Sequence, residues 1–151
     1  MNNREYVEEN NTSRLELGEL IGRLDERSYD IEVGSGWRVS TVLCHLAFWD
    51  QRVLFVLKKW ESAGFEPSRL TPLSVDSINQ AAATLAQAVP GHAAARLAIE
   101  SAAAVDSQVA ETSDQLASQM ISAGFERFLR RSLHRREHIQ KIEKALAAQT
   151  L

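Results

Sequence analysis

Apolar residues recur at helical spacing along most of the chain. Leu17, Leu20, Ile21 and Leu24 make one such run, and Ser13 with Glu16 ahead of them reads as a capping box that starts a first helix. The segment "DIEVGSGWRVS" then breaks the period at Gly34 and Gly36. A second helix is predicted from Ser40, its N-cap, to near Gly64, with Val42, Leu46, Trp49, Val53, Leu57 and Trp60 as its apolar stripe. "GFEPSRLTPLS" holds two of the three prolines and no sustained period, which predicts a long crossover loop at one end of the molecule. A third helix is expected from Ser74 to about Val89, where Pro90 and Gly91 interrupt it. The alanine-rich "AAARLAIESAAAVDSQVAE" makes a fourth, whose small side chains let a neighbour approach closely. After a break between Thr112 and Ser122 the last helix runs to about Ala148, with Ile121, Phe128, Ile139, Ile142 and Leu146 on its apolar stripe. No strand-like alternation competes, so the fold class expected is all-α.

The candidate chemistry lies on two of these helices. His134 and His138 stand four residues apart, one turn apart on one face, so both imidazoles can reach a single ion. His45 stands at the border of the second helix's stripe, one turn before Trp49. Together they suggest a three-histidine metal site with at least one coordination position left open for water or substrate. The ordinary reading of an HxxxH pair on a charged helix is two solvated rings; here both sets flank the packed stripe.

These same residues carry a resemblance. "GWRVSTVLCHLAFWDQRVL", with Trp37, His45, Leu46, Ala47, Trp49, Asp50 and Arg52, resembles the signature around the first histidine of the DinB-like, or YfiT-like, metalloenzyme superfamily. "HRREHIQKIEKAL" resembles its C-terminal HxxxH helix, and Asn79 in "SVDSINQAAA" a helical asparagine often found between them. The similarity runs in ordered fragments from about Leu15 to Leu146. It implies a four-helix bundle of up-down-down-up type, a divalent metal held by His45, His134 and His138, and commonly a homodimer. Three neutral imidazoles suit zinc, nickel or iron(II). Members of the superfamily include S-transferases that depend on a low-molecular-weight thiol, and metal-dependent hydrolases. A thiol-dependent S-transferase or isomerase acting on a small molecule is therefore the leading expectation, with hydrolysis beside it. The reading from a different class is a non-catalytic bundle with a structural metal or a ligand-sequestering role.

Glu137 completes an H-x-x-E-H pattern like that of inverzincin peptidases, but that pattern needs a carboxylate ligand where the resemblance supplies His45; Glu137 is more ordinarily a solvated partner for Arg130, Arg131, Arg135 or Lys141. Arg127 and Arg131 lie on the same side of their helix as His134, where they are candidate contacts for an anionic group and would favour the neutral His134 ring. Arg135 and Arg136 read as a hydrated face. Cys44 points about 100° away from its neighbour His45 and reads as a buried thiol, and His92 as an exposed first-turn residue. Trp37, Trp49 and Trp60 are packing residues first, with Trp49 placed to wall the site, and Asp50 is left between a hydrogen bond to a ligand histidine and a pairing with Arg52 or with a neighbouring helix at the surface.

The 151 residues, 44% hydrophobic and 25% charged, suit one globular domain spanning 1–151. A net charge of −3 gives no general attraction to nucleic acid. One cysteine excludes an intramolecular disulfide. The polar start "MNNREYVEENNTSR" and the lack of a long apolar run point to a cytoplasmic protein without a membrane span.

Overall fold

The computed structural model describes residues 4–149. Its elements are α1 (Glu5–Gly22), a two-stranded ribbon of β1 (Glu32–Gly34) and β2 (Trp37–Arg38), α2 (Val39–Ala63), α3 (Pro72–Ala86), α4 (Gly91–Glu111), α5 (Asp114–Ser122), α6 (Glu126–Leu129) and α7 (Ser132–Ala148). The fold is all-α, as expected. No helix among the described residues is long and apolar enough to cross a membrane.

Helices α1, α4, α2 and α7 pack in a ring, and α3 lies outside it against α2. The core is two apolar clusters. One gathers Leu17 and Leu20 from the end of α1, Val39, Leu43 and Leu46 from the start of α2, Ala94 and Ala98 from the start of α4, and Ile139 and Ile142 from α7. The other gathers Tyr6 from the start of α1, Leu57 and Trp60 from the end of α2, Val105 and Val109 from the end of α4, and Leu116, Met120 and Leu129. These memberships set the directions: α1 and α7 run one way, α2 and α4 the other. The chain therefore travels the length of the molecule between α2 and α4, through the loop 64–71 and then α3. Buried Ala94, Ala95, Ala98 and Ala102 bring α4 close to α2.

Several boundaries differ from the sequence expectation. Ser13 does not cap α1; it is buried inside the helix and its hydroxyl donates to the Asn10 carbonyl at 2.9 Å. Buried Asn10 and Ser13 are polar positions on a core-facing stripe, so the apolar period looks as if it starts later than the helix does. Helix α2 begins at Val39, with Arg38 rather than Ser40 at the N-cap, because the ribbon feeds directly into it. The ribbon is a structure that no alternation announced. Its turn places Ser35 and Gly36 at φ 55° and 79°, between the paired residues Gly34 and Trp37, the backbone that a tight hairpin needs. Helix α3 starts at Pro72, not Ser74, with Thr71 as N-cap accepting from the Ser74 amide.

The expected last helix is three pieces. Gly124 at φ 82° ends α5 in a Schellman turn, in which the Phe125 amide donates to the Met120 carbonyl at 2.8 Å and the Gly124 amide to Ile121 at 3.1 Å. Ile121 consequently leaves the apolar stripe and is exposed. A second break at Arg130 separates α6 from α7. Asn10 of α1 bridges it, its amide donating to the Leu129 carbonyl at 2.8 Å and its oxygen accepting from the Ser132 amide at 2.9 Å.

Candidate metal centre

Helix α2 places His45 on its second turn, and α7 places His134 and His138 on its first two. The rings meet almost as an equilateral triangle, with centroids 4.9 Å (His45 to His134), 4.6 Å (His45 to His138) and 4.7 Å (His134 to His138) apart. One ligand nitrogen from each lies within 4.8 Å of the others, and Nε2 of His45 is 3.0 Å from Nε2 of His134. Two nitrogens that share a tetrahedral ion at ordinary metal–nitrogen lengths stand about 3.3 Å apart. The three rings could thus hold one metal ion.

The electrostatics suit that use. Burial, the charge of His138 and that of Lys141 push the pKa of His45 down to about 3. Burial, then Arg131, the two other rings and Arg127 push His134 to about 2, and burial with Lys141 pushes His138 to about 4. All three are neutral at pH 7, the form a metal requires. Nδ1 of His138 is buried without a hydrogen-bond partner in the described structure, and an unpaired buried nitrogen costs free energy that a ligand would recover. The donor set and the orphaned nitrogen both fit a divalent ion. No fourth histidine, cysteine or carboxylate joins the group among the described residues.

The triangle opens into a cleft of about 980 Å³, the size of sites that take a small molecule. One wall is the ribbon, with Val33, Ser35 and Trp37; another is α3, with Val75 and Asn79; α7 supplies Glu137, Lys141, Lys144 and Ala145. Trp37 lies 5.1 Å from the His45 ring. Trp49 walls the cleft and donates its indole N–H to Asn79 Oδ1 at 2.7 Å, so Asn79 ties α3 to the site.

The arginines are placed otherwise than expected. Arg131 is buried, its Nε donating to Asp50 at 2.9 Å and its Nη1 to the Arg127 carbonyl at 3.1 Å. Arg127 is exposed and neither residue lines the cleft. Both lower the His134 pKa, Arg131 next after burial and Arg127 least, behind the two other rings. Arg135 is not hydrated: at 1% exposure it is a wholly buried side chain, bonded to Asp106, Asp50, Ser13 and the Asn10 carbonyl. Arg136 pairs with Glu16, and Glu137 with Lys141 at 3.4 Å. Asp50 takes arginine partners, Cys44 is half-buried with its thiol pKa raised by burial, and His92 is exposed. Lys141 and Lys144 were missed as cleft cations, although the i, i+3 step from His138 along one helical face could have found Lys141.

No curated protein and no solved structure matches the chain significantly. The family model of the mycothiol maleylpyruvate isomerase N-terminal domain matches residues 13–135, which take in His45 and His134 and end before His138. That domain is DinB/YfiT-like, the superfamily that the histidine segments resemble. With most of its length matched, the chain belongs to the mycothiol maleylpyruvate isomerase N-terminal domain family.

Proposed function

We propose that this protein is a divalent-metal-dependent enzyme in which His45, His134 and His138 are the metal's ligands and a low-molecular-weight thiol is used for S-transfer or isomerisation of a small molecule. The observation that carries this reading is the triangle of neutral imidazoles at the floor of an open cleft, with no fourth protein ligand among the described residues. Structural sites are closed by four protein ligands, whereas catalytic ones keep a position free. Membership of a thiol-related family supports the thiol.

A zinc, nickel or iron(II) ion bound here supplies Lewis acidity, which lowers the pKa of a thiol or water that coordinates it. The chain's own residues do the rest. The buried rings stay unprotonated and present lone pairs. Trp37, Val42 and Val75 give the cleft apolar walls that exclude bulk water, and Lys141 and Lys144 place positive charge along α7 for an anionic part of the substrate.

Elemental analysis of protein purified without a nickel column tests the reading. Near-stoichiometric metal is expected, lost in the His134→Ala, His138→Ala double variant. Thiol-dependent turnover of an electrophile is expected to vanish in His45→Ala. Unfolding on chelation with no turnover under any thiol would instead make the metal structural. The homodimer belongs to the same proposal, and sedimentation is expected to give twice the 16.8 kDa chain mass.

A further inference from the structure

Between the two apolar clusters lies a layer of buried charge. It contains Asp50 of α2, Asp106 of α4, Arg131 at the N-cap of α7 and Arg135 in its first turn, with the partly exposed Arg14 of α1 at its edge, linked as Arg14–Asp106–Arg135–Asp50–Arg131 at 2.6, 3.1, 3.3 and 2.9 Å. Taking such groups out of water costs several kcal/mol per ion before their attraction offsets it, so leucines could hold a bundle together at least as well. What this layer supplies is position.

Asp50 stands just over one turn beyond His45 on α2, while Arg131, the N-cap of α7, and Arg135 in its first turn stand on either side of His134 in the chain. Asp50 Oδ1 accepts from Arg131 and Oδ2 from Arg135, so one carboxylate grips α7 at two points, its N-cap and the end of its first turn. A grip at two points opposes both sliding and rotation of α7 against α2. Those are the motions that would carry His134 and His138 away from His45.

We infer that Asp50 is a positioning residue of the metal centre, acting through Arg131 and Arg135 to set the register between the two helices that bring the histidines. This inference rests on the reading of the three histidines as metal ligands. Asp106 provides an internal comparison. It is equally buried and also bonds Arg135, but it comes from α4, which brings no histidine to the triangle.

The experiment is zinc affinity by chelator competition on the full chain, wild type beside Asp50→Asn and Asp106→Asn, with urea stability measured for each metal-free protein. Asp50→Asn is expected to weaken zinc by about 10- to 100-fold, the usual effect of losing a group that orients ligands. Asp106→Asn is expected to lose stability at least as much while holding zinc within about threefold of wild type. Wild-type affinity in Asp50→Asn, or equal affinity losses in the two variants, would overturn the inference. Should Asp50→Asn fail to fold, Arg131→Gln removes one arm of the grip and leaves Asp50 bonded to Arg135; weaker zinc binding supports the inference and unchanged binding overturns it. A wild-type protein that binds no zinc, nickel or iron would overturn the metal reading itself, and with it this one.

Discussion

Asn10 holds the join between α6 and α7 with both ends of its amide, taking a carbonyl that ends one helix and an N–H that starts the next. Replacing it with alanine would leave both backbone groups buried and unpaired, for an expected loss of about 1–3 kcal/mol in urea unfolding. Gly91 is fixed by space: a Cβ there would fall 2.2 Å from Cγ of Tyr29. Gly91→Ala should therefore cost about 1–3 kcal/mol by overpacking, seen as a lower denaturation midpoint. The histidines predict a pH dependence. Unfolded, each ring takes a proton near its ordinary value of 6.5; folded, His45, His134 and His138 refuse it down to about 3, 2 and 4. The unfolded chain then binds more protons between these limits, so metal-free protein is fully stable above pH 6.5 and weakens as pH falls. About 1–2 kcal/mol per ring should be lost between pH 6.5 and 5, and replacing the three rings should flatten the slope. These three residues were legible because an i, i+4 pair and a stripe-edge position are local patterns. Arg135 was not: its burial depends on Asp50 and Asp106, which other helices bring to it.

At the scale of elements, α3 rests on α2 outside the ring with Ala86 its one buried residue, while it walls the cleft through Val75 and Asn79. Its start depends on the Thr71 cap, whose hydroxyl accepts from the Ser74 amide at 3.1 Å. Thr71→Ala is expected to cost about 1 kcal/mol locally. Amide exchange should quicken in α3 while α2 and α4 keep their protection. The apolar period revealed the long helices well, since each presents one face to a core. It did not reveal the start of α1, residues 5–13, where Asn10 and Ser13 occupy core-facing positions, nor the division of the last helix. Gly124 was an unused local signal for the first of those breaks; the second, at Arg130, is set by a side chain from α1 and leaves no local mark.

At the scale of the molecule, the buried charges make the four ring helices interdependent. Arg135→Met removes the centre of the layer and leaves Asp50 and Asp106 each with one arginine, so a loss of about 3 kcal/mol in chemical denaturation is expected. The up-down-down-up course was suggested in the sequence by resemblance; the structure displays it through which ends of which helices share a cluster. The triangle of histidines has a consequence for the chain as a polymer. His45 and His134 are 89 residues apart in sequence, and the single cysteine leaves no covalent bond to close that span. An ion shared by the two helices would be a removable cross-link around more than half the chain. By the loop-entropy measure used for disulfides, closing so long a loop restricts the unfolded chain by about 4–5 kcal/mol. Loading the centre would then fasten the C-terminal helix to the rest of the fold, and a chelator would act as its reducing agent.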